Sequence, residues 1–336
     1  MKKLISGLVV LLVIACEQGP SSMSDFGSNF YVFSQKPLHL GDTLNIEFTK
    51  NTEKIDSVSL TLNGKRINNH EPIDSAKATL GLNKLRINVY TANQPVGGEV
   101  NLQVLNSGKE TPVEYETVKE YPHPAELFTE GFFFHNGKIY ESAGQKGKSK
   151  LVSYALGSTN YIQEKRQDKE DFSEGVALLS GKIYQLTYRQ RKVFVYDENS
   201  LELIETLELP QIVREGWGMA TNGTELIVSD GTQNIFFFDE HFNLKRKIQV
   251  AGYISIYTNL NELEFINEKI YANVWQTNYI LIINPRSGAV EQYYDLTPLS
   301  ETSGSDDVLN GVASYKNNIL VTGKNWQKIF ELSAKP

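Results

Sequence analysis

The stretch "FSEGVALLSGKIYQLTY", residues 172–188, reads as two short strands around a turn at Ser180-Gly181. Four other stretches align with it. They are "FTEGFFFHNGKIYESAG" from Phe128, "GWGMATNGTELIVSDG" from Gly216, "LNELEFINEKIYANVW" from Leu260 and "LNGVASYKNNILVTGK" from Leu309. The first apolar residue of each second strand serves as an anchor: Ile139, Ile183, Leu226, Ile270 and Ile319, at intervals of 44, 43, 44 and 49 residues. Each unit carries two further strand-like runs, such as "KVFVYD" and "LIETLEL" in the second. Four strands per period of this length are the mark of a β-propeller blade, so the repeat predicts five blades. The last unit ends at "QKIFELSAKP" without a fourth strand, whereas "VEYETVKEYPHP" precedes the first unit with a strand to spare. That N-terminal strand is expected to complete the last blade and close the ring, leaving no open sheet edge.

Upstream, residues 29–113 form a different block. "DTLNIEFT", "SVSLTLNGKRI", "KLRINVYTA" and "EVNLQVLN" read as short strands between Asn, Gly and Pro turns. This predicts a small immunoglobulin-like β-sandwich, with a spacer or adhesive role by default. The expected fold class is therefore all-β: the sandwich over 29–113, then a five-bladed β-propeller over 114–336. At the start, Lys2-Lys3 precede the apolar run "LISGLVVLLVIA", too short for a convincing transmembrane helix. It leads to Cys16, the sole cysteine, in "VIAC". This run resembles a bacterial lipobox. Residues 1–15 then read as a lipoprotein signal peptide, 16–28 as a tether, and Cys16 as the lipidated residue. A lipid anchor would hold the protein at the membrane in the cell envelope, on the periplasmic or cell-surface side. With one cysteine, no disulfide can form within the chain.

A net charge of −7 with scattered Lys and Arg gives no basic stripe for nucleic acid. The histidines His39, His70, His123, His135 and His241 lack metal-ligand spacing, and no metal or cofactor is expected. "GQKGKS" from Gly144 lacks the spacing and context of a phosphate-binding loop.

Nine places before each anchor stand Glu130, Glu174, Trp217, Asn261 and Asn310; five places after stand Gly144, Tyr188, Gly231, Trp275 and Lys324. In an antiparallel hairpin the start of one strand lies beside the end of the next, so all ten are expected at one end of the channel. A structural ring would repeat the same residue types. This one carries two carboxylates, two amides, a lysine and three large aromatics, which suits a substrate pocket. A carboxylate beside aromatic rings has a raised pKa and can move a proton near neutral pH. Glu130 and Glu174 are expected close enough to share a proton. Asn261 and Lys324 can stabilise charge on a carbonyl oxygen. Such a set suits an intramolecular acyl transfer that needs no enzyme nucleophile.

"FSEG", "QLTY", "EGWGM", "LIVSDGT", "LNELEFI", "YANVWQT", "LNGVA" and "VTGK", in this order from about Val118 to Leu332, resemble the plant-type (papaya-type) glutaminyl-peptide cyclotransferases. The resemblance implies conversion of an N-terminal glutamine to pyroglutamate with release of ammonia, without the zinc of the animal-type enzymes. It implies Glu174 as acid–base residue, with Asn261 and Lys324 orienting and polarising the γ-amide. Phe172, Trp217 and Trp275 would enclose the side chain, and Phe128, Glu130, Tyr188 and Asn310 complete the substrate-binding set. The family usually has Gln where Glu130 stands and Trp where Tyr188 stands. Partners implied are peptides or proteins with N-terminal Gln, bound by a monomer. Two alternatives stay open: a non-catalytic propeller that binds peptide N-termini, and a metal-dependent propeller hydrolase. Glu262 and Glu264 fall outside the aligned ring and read as structural.

Overall fold

The computed structural model describes residues 31–33, 36–49, 51–92 and 96–335. The expected signal peptide and tether, Cys16 included, lie outside these residues. The described chain is almost entirely strand: its helices are one turn at Thr297–Ser300 and a 3-10 turn at Thr52–Lys54. None is long and apolar enough to cross a membrane. Two compact units are present, one built mainly from residues 43–72 and 84–102, the other from 37–42, 73–83 and 103–336.

In the first unit, Ser57–Leu62 and Lys65–Ile67 form a hairpin around Asn63-Gly64, both with positive φ (50° and 80°). That is the backbone a two-residue turn needs to match strand twist. Ser57–Leu62 also pairs antiparallel with Gly81–Tyr90, from Ser57 opposite Tyr90 to Leu62 opposite Leu85. Alternate residues Leu85, Ile87 and Val89 are buried with Leu60, Leu62, Leu44 and Ile46. The period-two pattern thus covers one face of the strand, as strand geometry dictates.

The second unit contains five antiparallel sheets in chain order. The first consists of Thr129–His135, Lys138–Ala143, Lys150–Ala155 and Tyr161–Arg166, and the second of Ser173–Leu179, Lys182–Thr187, Lys192–Asp197 and Leu203–Glu208. Met219–Thr221, Leu226–Ser229, Asn234–Phe238 and Leu244–Gln249 form the third. The fourth is Leu260–Ile266, Lys269–Val274, Tyr279–Ile283 and Val290–Asp295, with Thr111–Pro112 added in parallel on the outer strand. Leu309–Tyr315, Asn318–Gly323 and Lys328–Ala334 make the fifth, and the upstream strand Tyr115–Pro122 pairs antiparallel with Lys328–Ala334 as its fourth member.

Apolar layers lie between successive sheets. Phe133 and Tyr140 pack with Ile183 and Phe194 between the first and second sheets; Tyr184 and Val195 pack with Val228 and Phe236 between the second and third. Similar layers follow between the third and fourth and between the fourth and fifth. Phe132, Ile139 and Tyr154 of the first sheet meet Ala313, Leu320 and Ile329 of the fifth, which returns the cycle to its start. The innermost strands neighbour one another in the same cyclic order. Because each sheet buries both faces, its middle strands are apolar on consecutive residues, as in Ile227-Val228 and Leu281-Ile282. The unit is all-β and propeller-like.

Candidate active site

The ring residues share a backbone irregularity. In the first sheet Thr129 pairs with Ala143 and Gly131 with Ser142, leaving Glu130 as an extra residue. In the second, Ser173 pairs with Thr187 and Val176 with Gln185, so Glu174-Gly175 oppose Leu186 alone. Asn261-Glu262 in the fourth sheet and Asn310-Gly311 in the fifth are bulged in the same way. In the third, Trp217 N–H donates to the Ser229 carbonyl (3.2 Å) and Ser229 N–H to the Gly218 carbonyl (3.1 Å). A bulge bends the strand and re-aims a side chain that regular pairing would commit to a sheet face. Here it lets both strand faces pack against neighbouring sheets while one ring side chain per sheet is redirected.

Hydrogen bonding links four of these residues. Lys324 Nζ donates to Glu130 Oε1 at 2.7 Å, and Asn310 Nδ2 donates to Glu130 Oε2 at 3.2 Å and to the Thr129 carbonyl at 2.8 Å. Glu174 interacts with Glu130 through a side-chain hydrogen bond that raises the Glu174 carboxyl and lowers that of Glu130. All four side chains are buried. Burial pushes the Glu174 carboxyl far above the usual range, and the charge of Glu130 adds to this while Lys324 opposes it. Burial raises Glu130 as well, but the charge and hydrogen bond of Lys324 restrain it. Two carboxyls in one dry site favour sharing a proton over carrying two charges, and Glu174 is the more strongly raised of the two.

Aromatic rings surround this core. Lys324 Nζ lies 4.6 Å from the centroid of Phe128. Phe172 and Tyr188 pack with centroids 5.9 Å apart, and Trp217 meets Trp275 edge-on at 5.7 Å. Phe128, Phe172, Tyr188 and Trp275 are half-buried, so the rings are reached from solvent while the polar groups beneath are not. Gly144 and Gly231, two ring positions without side chains, are beds for these rings. A Cβ on Gly144 would lie 2.5 Å from Phe172 Cε1, and one on Gly231 2.6 Å from Trp217 Cζ2.

Asn261 is buried, and its carbonyl accepts the Ser229 hydroxyl at 2.7 Å. Its side-chain Oδ1 has no hydrogen-bond partner among the described residues, and neither does Asn310 Oδ1. A buried, unsatisfied acceptor is costly and marks a group set for a donor from elsewhere.

Two further elements escape sequence reasoning. Glu215 accepts from Arg189 Nε (2.7 Å), Trp217 Nε1 (3.2 Å) and Arg214 (3.4 Å). Burial favours its neutral form, but the bonds from Arg189 and Trp217 and the Arg214 charge hold its carboxyl below the usual range. It fixes the indole of Trp217 and contributes to the elevation of Glu174. Its place in "EGWG", two residues before a ring position, was the available sign. The second is His123, fully enclosed between sheets: Nδ1 bonds the Trp326 carbonyl (2.7 Å) and Nε2 approaches Glu141 Oε2 (3.0 Å). Burial lowers its basicity, but Glu141 together with the Trp326 carbonyl and the Glu126 charge raises it overall. Glu141 also accepts from Thr129 Oγ1 (2.7 Å) and Tyr154 (2.6 Å). This network supports Thr129 beside Glu130 and Trp326 near Lys324.

Glu262 and Glu264 stand apart from this group, as the sequence alignment implied. Glu262 is buried and accepts the Val312 N–H at 2.9 Å and the Phe132 N–H, which ties the fourth sheet to the fifth and first. Glu264 accepts the Ser314 N–H at 3.0 Å.

The sequence profile of the glutamine cyclotransferase family matches residues 92–334. The chain is 33% identical over 231 residues to a glutaminyl-peptide cyclotransferase of Arabidopsis thaliana, an alignment covering 66% of this chain and 72% of that protein. The crystal structure of Myxococcus xanthus glutaminyl cyclase matches with a TM-score of 0.62 and 29% identity, over 68% of this chain and 100% of that one. The profile spans well over half of the sequence and contains every sheet that carries a ring residue, so the chain belongs to the glutamine cyclotransferase family.

Proposed function

We propose that this protein is a glutaminyl-peptide cyclotransferase that converts the N-terminal glutamine of peptides or proteins to pyroglutamate and releases ammonia. The observation that carries the mechanism is the buried pair Glu130–Glu174, with Lys324 bonded to Glu130 and aromatic rings above them. The rings of Phe128, Phe172, Tyr188, Trp217 and Trp275 enclose the glutamine side chain and hold the α-amine near the γ-carbonyl, which removes most of the entropic barrier to ring closure. Lys324 polarises the γ-carbonyl oxygen. Asn261 uses its free Oδ1 to accept from the γ-amide N–H, and Asn310 holds Glu130 in place. Attack by the neutral amine forms the ring C–N bond. Glu174 gives its proton to the departing amide nitrogen and takes one from the new ring nitrogen. No enzyme nucleophile and no metal takes part.

The cyclic succession of five sheets and the upstream closing strand support a five-bladed propeller over 114–336. The hairpins and alternating burial of the first unit support an immunoglobulin-like sandwich within 29–113. The lipobox-like "VIAC" supports a lipid anchor on Cys16 and a place on the periplasmic or cell-surface side of the envelope. The anchor is tested by asking whether Cys16→Ser releases the protein from membranes.

The function is tested by incubating purified protein with Gln-initiated peptides in the presence of a chelator. Ammonia release with formation of the lactam by mass spectrometry is expected. Binding of such peptides without product would leave a non-catalytic binder instead.

A further inference from the structure

The cyclisation just described uses one carboxyl, yet the site buries two. Resting on that reading, we infer that Glu130 is a catalytic residue in its own right: it stores the extra proton of the substrate α-ammonium, so the enzyme acts on the charged amine directly.

Glu130 is equipped for this by its surroundings. Lys324 occupies Oε1 and Asn310 Oε2, both as donors, so the carboxyl is oriented in a buried place and both bonds favour its ionised form. Glu174 is its third donor and comes from the adjacent sheet. The groups facing the pair are then Lys324 from the fifth sheet, Tyr188 from the second, and Glu215 from the segment before the third. Glu215 is itself neutralised by Arg189 and Arg214. With one proton shared, the pair balances the Lys324 cation, so an entering ammonium adds a charge that nothing in the buried core offsets. The nearest base is the Glu130–Glu174 pair. Burial raises both carboxyls, which brings their basicity toward that of an amine.

The proton balance closes. An ammonium and a γ-amide hold five N–H hydrogens; the lactam keeps one and the leaving group departs as ammonium with four. Glu130 takes the first proton from the α-ammonium: that N–H bond breaks and a carboxyl O–H forms. The freed lone pair attacks the γ-carbon. Glu174 protonates the amide nitrogen and then removes the proton from the ring nitrogen. The carbonyl re-forms, the C–N bond to the leaving group breaks, and ammonia departs after taking the stored proton from Glu130. The pair returns to its initial state, with the proton on Glu174 and charge on Glu130. An enzyme with a single carboxyl, already protonated, would have to wait for the free amine.

The α-amine of a peptide titrates at about 7.7–8, so the two cases differ below that pH. The experiment measures kcat/KM for a Gln-initiated peptide from pH 5.5 to 9 with the full-length protein and with Glu130→Gln. Wild type is expected to lose less than about threefold between pH 8 and 6, while Glu130→Gln falls about tenfold per unit, following the free-amine fraction set by that titration. The reading is overturned if wild type itself falls tenfold per unit, a result that needs no variant. Identical profiles for the two proteins would overturn it too. Absence of ammonia at every pH would remove the cyclisation reading itself and this inference with it.

Discussion

Lys324 Nζ sits 2.7 Å from Glu130 Oε1 and 4.6 Å from the Phe128 ring centroid, with both charged side chains almost fully enclosed. One cation therefore serves a carboxylate and an aromatic face at once. Removing it strands the buried Glu130 carboxylate, and breaking a buried pair from one side typically costs about 3–5 kcal/mol. Lys324→Met is expected to lower stability by that order, and Lys324→Met/Glu130→Gln by clearly less, because the second change removes the stranded charge. Loss of the polarising charge should also reduce kcat by about 10²–10³. Urea unfolding of the two variants and ammonia release check both parts. Strictly additive destabilisation would show that the two groups are not coupled.

Glu174→Gln keeps the shape of the side chain and its hydrogen bond to Glu130, since the amide still donates. It cannot exchange a proton. Turnover is expected to fall by about 10²–10⁴, the usual contribution of a positioned acid–base group, with KM and the circular dichroism spectrum little changed. Near-wild-type kcat would remove Glu174 from the chemistry.

Gly144→Ala tests the bed beneath Phe172. The added methyl would lie 2.5 Å from Phe172 Cε1 and 2.8 Å from Glu130 Cγ, so the ring, the carboxylate or both must move. Overpacking of this kind costs about 1–3 kcal/mol. The expected result is a raised KM and reduced kcat in a folded protein, measured by peptide titration and thermal unfolding. Unaltered kinetics would mean that Phe172 does not shape the substrate pocket.

The hairpins, the intervals between them and the strand Tyr115–Pro122 that completes the fifth sheet were legible in the sequence, because alternation and turn residues are local properties. The ring positions followed from hairpin register. Lys324 and Glu130 could be placed at the same channel end although they are 194 residues apart. Register alone could not reveal the bulges, which add a residue without leaving a mark in the alternation. It also read Gly144 and Gly231 only as ring positions without side chains, whereas each is required by a ring from elsewhere in the ring. Glu215 left only its place in "EGWG" as a sign, and the His123–Glu141 pair left none, because the groups that meet His123 come from other strands. Contacts between sheets carry no period.

The acids on the innermost strand of the fourth sheet give a prediction for stability against pH. Glu264 borders a cavity of about 140 Å³ walled by Phe133, Val176 and Phe265, and burial pushes its carboxyl up to about 8. Glu262 is raised further by burial and by Glu264. In the unfolded chain a glutamate titrates at about 4.3. Between that value and the folded one, the folded protein holds a proton that the unfolded chain has released, so stability falls as pH rises. The contribution of Glu264 is complete below the unfolded pKa and is lost as pH passes through about 8. Glu264→Gln keeps an acceptor for the Ser314 N–H but has nothing to titrate. It should match wild type at pH 4, exceed it at pH 8 and flatten the decline in between. Urea midpoints across that range are the measurement, and an unchanged slope in Glu264→Gln would show that the proton is not held there.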